Sequence, residues 1–119
     1  MLPYERLTAW KIAYELVLET YKVTATFPIT ERYGVTTQAR RAAFSVAANI
    51  AEGSAKRGSR EFRRFLDISL GSLAELAFIF RLSRDLGYLS PGHWERVDEL
   101  RRRAGFLTWR LYRAVASRA

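Results

Sequence analysis

A row of polar side chains on one predicted helix is the part of the sequence whose residue types could do chemistry. The row and the residues that follow it on the next helix are Arg41, Ser45, Asn49, Glu52, Ser72 and Glu75. Residues three and four apart share one face of a helix, so guanidinium, hydroxyl, amide and carboxylate groups would lie together. An active-site cluster is one interpretation, and a hydrogen-bonded network between two helices is the other. The sequence favours the network, because no nucleophile and proton shuttle complete a mechanism.

The groups that most often carry catalysis or bind metal are missing from the sequence. The chain has no cysteine, and its single histidine, His93, stands beside a predicted helix start. Glu-x-x-His pairs, zinc-ligand spacings, a phosphate-binding glycine loop and a nucleophile elbow are also missing. We therefore expect a protein that is not an enzyme and that holds neither a metal ion nor a cofactor.

Glycine and proline divide the chain into four segments with helical periodicity. Apolar residues recur every three or four positions in these segments, and none of them alternates as a strand would. Serine caps a helix start, glycine suits a helix end, and proline suits the first helical position. These signals predict helices from Thr8 to Thr26, from near Thr36 to before Gly58, from Ser59 as N-cap to Gly87, and from Ser90 as N-cap and Pro91 to near the C-terminus.

Long helices joined by short connections favour a single bundle. A chain of 119 residues is enough for one domain, and its 49% hydrophobic content can supply a core without disulfides. We predict one all-α domain over residues 1–119, an antiparallel up-down-up-down four-helix bundle.

The charge balance suggests an anionic partner. The chain has 20 basic and 12 acidic residues, a formal net charge of +8. Nucleic acid is the first candidate and an acidic protein surface is the second. The sequence offers no run long enough to span a membrane and no signal-peptide hydrophobic region, and the lack of cysteine fits a reducing compartment. We expect a cytoplasmic protein with no membrane partner.

The predicted topology gathers the positive charge at one end of the bundle. Residues 1–11, 52–64 and 107–119 share that end, and they hold ten basic and three acidic residues. This basic pole therefore carries +7 of the net +8. Its candidate nucleic-acid-binding residues are Lys56, Arg57, Arg60, Arg63, Arg64, Arg110 and Arg113.

Three of these arginines stand where a helix disfavours them. Arg60, Arg63 and Arg64 fall in the first turns of helix three, where the dipole repels each cation by roughly a few tenths of a kcal/mol. The N–H groups of that turn attract phosphate, so we expect backbone contacts with little sequence readout. The run Arg101–Arg103 differs, because acidic residues precede it by four positions and explain it as a salt-bridged face.

Aromatic stripes on two helices predict a subunit contact. Phe106, Trp109 and Tyr112 repeat at three-residue spacing on helix four, and Trp10 belongs to an apolar stripe on helix one. A single surface aromatic is ordinary, but several in a stripe indicate a protein interface. We expect these four residues to form the interface of a homo-oligomer.

Two motifs carry a family resemblance. Residues 38–53 read QxRRAxxSxxxNIAEG and residues 61–76 read EFxRFLxISxGSLxEL, with weaker matches between residues 10 and 34. Over roughly residues 8–88 the chain resembles the bacterial four-helix-bundle family encoded in 23S rRNA intervening sequences. The resemblance implies pentameric rings with no established catalytic activity. Accessory proteins of diversity-generating retroelements share this architecture and work with a reverse transcriptase and nucleic acid.

The sequence leaves two main functional hypotheses. The first is a non-catalytic oligomeric accessory protein that binds RNA or DNA backbone through the basic pole. The alternative is a protein-interaction scaffold for an acidic partner, with no nucleic-acid role. An RNA-processing enzyme is the weakest interpretation, because general acid–base groups are missing.

Overall fold

The computed structural model describes residues 2–116, and they form four long helices. The helices are α1 (Thr8–Thr24), α2 (Val35–Ser54), α3 (Ser59–Asp85) and α4 (Pro91–Ala116). Short 3-10 turns at Pro3–Arg6 and Ile29–Glu31 precede α1 and α2. The described residues contain no strand. Arg118, which belongs to the predicted basic pole, lies outside the described residues.

The helices pack as a four-helix bundle in which each helix contacts the next one along the chain. Each helix contacts two neighbours, so that α1 and α3 both lie between α2 and α4. Ser69 of α3 bonds to Val46 of α2, and Phe65 of α3 lies against Gly53 of α2, so the two helices run in opposite directions. The structure confirms the predicted all-α four-helix bundle. None of the described helices is long and apolar enough to cross a membrane.

One core runs along the bundle axis, built from the inward stripe of every helix. Its largest fully buried side chains are Phe80, Leu16, Ile50, Leu66, Leu76 and Leu100. Burying a Leu, Ile or Phe side chain contributes about 1.5–3 kcal/mol each. The basic pole and the surface grooves are therefore built on one packed core.

Small residues bring α2 and α3 close together. The hydroxyl of Ser69 donates a hydrogen bond of 2.8 Å to the carbonyl of Val46, across the two helices. A Cβ added at Gly53 would lie 2.8 Å from the Cβ of Phe65, closer than two carbons can approach. Gly53 is therefore needed where the end of α2 meets the beginning of α3.

The predicted signals at the junction of α3 and α4 are confirmed. Gly87 has φ +81°, and the N–H of Tyr88 donates to the carbonyl of Ser83 at 2.8 Å, closing the end of α3. The Oγ of Ser90 accepts a hydrogen bond of 3.1 Å from the N–H of His93, which caps α4.

Two predicted helix ends differ from the structure. Helix α1 ends at Thr24 rather than Thr26, because the N–H groups of Thr26 and Phe27 bond to carbonyls three residues back and tighten the chain. Ser59 is the first residue of α3 and not its N-cap. The turn into α3 is made at Gly58, whose φ of +85° suits glycine, and no side chain caps this helix.

Candidate nucleic-acid interface

The first turns of α3 and the last turns of α4 meet in an open cleft at the basic pole. The cleft has a volume of about 540 Å³. It is lined by Arg60, Glu61, Arg63, Arg64, Asp67 and Tyr112. Three guanidinium groups and two carboxylates therefore share one concave surface, with a positive excess.

The three cleft arginines differ in how they are held. Arg64 pairs with Glu61 at 3.3 Å on its own helix, and its guanidinium lies 4.6 Å from the ring centre of Phe65. Arg63 is half-buried, and its Nε is fully shielded without a hydrogen-bond partner. Among the described residues, no carboxylate lies within 4.0 Å of Arg60 or Arg63. Two of the three guanidinium groups are therefore available to an anion.

The backbone of α3 adds to the positive potential of the cleft. The first N–H groups of a helix have no partner inside the helix, and the dipole places a partial positive charge there. No side chain caps these groups in α3. The uncapped helix start and the arginines of the cleft act in the same direction on a phosphate group.

The remaining predicted basic residues surround the cleft. Lys56 and Arg57 lie in the connection between α2 and α3, and the Nζ of Lys56 is 5.4 Å from the ring centre of Phe65. Arg110 and Arg113 lie on the outer surface of α4, with their guanidinium groups 5.6 Å from the ring centre of Phe106 and 5.1 Å from that of Trp109. The structure thus brings all seven residues to the pole at which α2 and α4 end.

The four predicted interface aromatics do not share one surface. Phe106 and Trp109 are exposed on α4, where they line a hollow with Arg110 and Arg113. Tyr112 is half-buried and turns toward α3 into the arginine cleft. The three-residue spacing with Phe106 and Trp109 did not predict this position of Tyr112. Each three-residue step turns the side chain by about 60° around α4. This rotation is the sequence signal that separates the direction of Tyr112 from that of Phe106.

Trp10 instead belongs to an apolar groove between α1 and α2. Its ring stacks on Tyr14 at a centre-to-centre distance of 5.1 Å and contacts Tyr4 at 4.6 Å. The groove has a volume of about 510 Å³. Its most exposed large side chains are Tyr14, Leu18, Tyr21 and Phe44, between 45% and 62% exposed.

The polar row on α2 is only partly joined by hydrogen bonds. The Oγ atoms of Ser45 and Ser72 are 2.7 Å apart, and the amide of Asn49 donates to the Oγ of Ser45 at 2.9 Å. Arg41 and Glu75 are exposed at the rim of the same hollow. This set joins α2 to α3.

Two further polar residues singled out in the sequence, Glu52 and His93, make no side-chain hydrogen bond to this set in the part of the chain that the structure describes. Glu52 is exposed near the end of α2. His93 lies at the beginning of α4, at the opposite end of that helix from the arginine cleft. Within residues 2–116, no group of three or more His, Cys, Asp or Glu side chains is placed to hold a metal ion.

The predicted salt-bridged face of Arg101–Arg103 forms only in part, because among the described residues Arg103 has no carboxylate within 4.0 Å and the expected pair with Glu99 is not made. Arg101 and Arg102 pair with Asp98 at 2.7 and 3.2 Å. This run lies one to two turns before the basic pole, and it provides a matched comparison for the cleft arginines.

Comparison with known proteins places the chain in a family. The family model of the 23S rRNA-intervening sequence proteins matches residues 5–107. A solved structure from Bacteroides thetaiotaomicron, described as a protein with unknown function from the S23 ribosomal protein family, is similar with a TM-score of 0.79 and 18% identity. The similarity covers 88% of this chain and 98% of that chain, and at this identity it shows the fold alone. No curated protein matches the chain. The family match includes both motifs that carry the resemblance, and the chain belongs to the 23S rRNA-intervening sequence protein family.

Proposed function

We propose that this protein is a non-catalytic accessory protein of the cytoplasm that binds the sugar-phosphate backbone of nucleic acid through its basic pole. The observation that carries the proposal is the cleft between α3 and α4. There Arg60 and Arg63 lie without carboxylate partners among the described residues, beside an uncapped helix start. The family description, which refers to intervening sequences of 23S rRNA, agrees with a nucleic-acid connection.

The electrostatics of the cleft favour a polyanion. Cations in the first turns of a helix are unfavourable in the absence of an anion, and Glu61 pairs only with Arg64. A phosphate group would accept hydrogen bonds from the guanidinium groups and, by its own attraction to the helix start, would offset their unfavourable interaction with the dipole.

We further propose that the protein works as a homo-oligomer. The apolar groove between α1 and α2 supports this proposal, because four large apolar side chains are exposed there side by side. Contiguous apolar surface of this kind is typical of protein interfaces. Oligomerisation would repeat the basic pole and would raise affinity for a long polyanion by multivalency.

The test is binding to nucleic acids of unrelated sequence, measured by fluorescence anisotropy at low salt. The wild type is expected to bind them with similar affinity, and the triple variant Arg60→Gln, Arg63→Gln and Arg64→Gln is expected to bind all of them more weakly by a similar factor. The matched variant Arg101→Gln, Arg102→Gln and Arg103→Gln loses the same charge and should bind nearly as the wild type does. If the wild type binds no nucleic acid, the scaffold for an acidic protein partner replaces this proposal.

A further inference from the structure

Aromatic rings and arginines alternate across the surface that leads out of the cleft. Tyr112 lies inside the cleft, and Trp109 and Phe106 follow at steps of about 4.5 Å along the axis of α4. Trp109 is 46% exposed and Phe106 is 58% exposed. The guanidinium group of Arg113 lies over the Trp109 ring at 5.1 Å from its centre, and that of Arg110 lies over the Phe106 ring at 5.6 Å from its centre.

This alternation fits unpaired bases better than it fits a duplex. Aromatic rings bind single-stranded nucleic acid by stacking on successive bases, while neighbouring cations follow the phosphates. In a duplex the bases are already stacked inside, so exposed rings on a helix surface have nothing to stack on. Backbone contacts alone would need the arginines and would not need Phe106 or Trp109.

The same arginines argue against a second copy of α4 as the occupant of this surface. Two α4 surfaces facing each other would bring Arg110 and Arg113 of each copy together and remove them from water. Like charges that are buried together oppose association. The apolar groove between α1 and α2 carries no such cations among its lining residues.

We infer that the nucleic acid bound at the basic pole is single-stranded, and that Phe106 and Trp109 stack on its unpaired bases while the cleft arginines hold its phosphates. This inference rests on the proposed nucleic-acid function and specifies its ligand. It also assigns these two aromatic residues to the ligand and leaves the subunit contact to other surfaces. Unpaired DNA and RNA offer the same chemistry, bases on a phosphate chain.

The experiment compares oligonucleotides of about 20 nucleotides that differ in their bases and pairing. The probes are oligothymidine, oligouridine, an abasic strand with the same number of phosphates, and a DNA duplex of the same length. Wild-type protein should bind oligothymidine or oligouridine about 5-fold or more tightly than the abasic strand, and more tightly than the duplex. Tighter binding of oligothymidine would identify DNA as the preferred ligand, and tighter binding of oligouridine would identify RNA.

Variants of Phe106 and Trp109 test whether these residues cause the tighter binding of unpaired strands. Replacing both Phe106 and Trp109 with leucine should reduce binding to the unpaired strands by about 5-fold or more and leave duplex and abasic binding nearly unchanged. The double variant Phe106→Leu and Trp109→Tyr keeps an aromatic ring at position 109. It should bind the unpaired strands more tightly than the double leucine variant does. The control Phe78→Leu removes an even more exposed aromatic from α3, outside the basic pole, and should change none of these affinities.

Three results would contradict the inference, and each has a different consequence for the proposed function. Equal wild-type affinity for unpaired, abasic and duplex probes would overturn this inference and leave backbone binding intact. A leucine variant whose mass in light scattering falls below that of the wild type would return Phe106 and Trp109 to the subunit contact and overturn the inference. Failure of the wild type to bind any probe would overturn both the inference and the proposed function.

Discussion

The hydroxyl of Tyr88 donates a hydrogen bond of 2.8 Å to Oε2 of Glu31, a residue 57 positions away. The Oε1 of the same carboxylate accepts a hydrogen bond of 3.2 Å from the N–H of Val35, at the first turn of α2. The ring of Tyr88 also lies against Phe27, with 5.6 Å between ring centres. Glu31 therefore joins the beginning of α2 to the turn that follows α3, at the end of the bundle opposite the basic pole.

This contact predicts a loss of stability in alkali. The hydrogen bond to Glu31, followed by burial and the negative charge of Glu31, raises the pKa of Tyr88 above its ordinary value of 10.0. Because the folded state holds the proton more tightly than the unfolded state, the contribution is complete below pH 10.0 and is lost as pH rises through the raised pKa. Chemical denaturation of wild type and Tyr88→Phe should show a constant difference near neutral pH that shrinks above pH 10.0. A difference that persists unchanged in stronger alkali would contradict this role of Tyr88.

Gly53 should tolerate no side chain, although it lies in a helix. Gly53→Ala places a Cβ 2.8 Å from the Cβ of Phe65, and overpacking of this kind lowers the free energy of unfolding by about 1–3 kcal/mol. Gly71→Ala is the matched control in α3, because no atom lies within 4 Å of the added Cβ. The control should gain up to about 1 kcal/mol from better helix propensity. Urea denaturation measures both, and equal stabilisation of the two variants would show that α2 and α3 are not in tight contact at Gly53.

Thr108→Val should stabilise the bundle. The side chain of Thr108 is fully buried in α4, and its Oγ1 has no hydrogen-bond partner. An unpaired buried hydroxyl costs about 1–3 kcal/mol, and valine has nearly the same shape. Thr20 is the comparison, because it is equally buried but donates a 2.7 Å hydrogen bond to the carbonyl of Leu16. Thermal denaturation should show a higher melting temperature for Thr108→Val than for the wild type. Thr20→Val should show no such increase. The same response in both variants would mean that the Thr108 hydroxyl is satisfied in solution.

Self-association should depend on the groove between α1 and α2. Light scattering is expected to give the wild type a mass several-fold above 13.7 kDa. Phe44→Glu places a charge in the groove and should lower that mass while helical circular dichroism persists. Phe78→Glu introduces the same charge at an equally exposed position on α3 and should leave the mass unchanged. A wild type that is monomeric at micromolar concentration would end the oligomer proposal.

The sequence predicted the order of the helices. It also predicted those helix ends at which a single glycine, serine or proline decides where the helix begins or stops. Gly87 adopts the left-handed backbone that glycine favours, and Ser90 caps α4 as its position before Pro91 predicted. The N-cap of α3 was predicted one residue late, because Ser59 is a good capping residue but the positive φ of Gly58 fixes the turn. Helix propensity could not decide between these two neighbours.

Contacts between residues distant in sequence could not be predicted in the same way. Nothing near Glu31 indicates that it meets Tyr88, because the contact depends on how two connections meet at one end of the bundle. Periodicity predicted an aromatic stripe on α4, but the rotation of α4 against α3 decides that Tyr112 enters the arginine cleft. The charge of the pole follows from topology and composition, whereas the exposure of each guanidinium depends on its neighbours.

The salt dependence of binding tests the central claim, that the cleft arginines contact phosphates, most directly. Each phosphate contact contributes about 0.9 to the slope of log K against log salt on duplex DNA and about 0.7 on a single strand. The variant Arg60→Gln, Arg63→Gln and Arg64→Gln should therefore flatten the slope by roughly 1.4 to 1.8 units for each engaged subunit if Arg60 and Arg63 each hold a phosphate, and by up to roughly 2.7 units if Arg64 also exchanges Glu61 for a phosphate. The variant Arg101→Gln, Arg102→Gln and Arg103→Gln should leave the slope nearly unchanged. Equal flattening by the two triple variants would contradict the account, because the charge would then act diffusely and the cleft would not be a site.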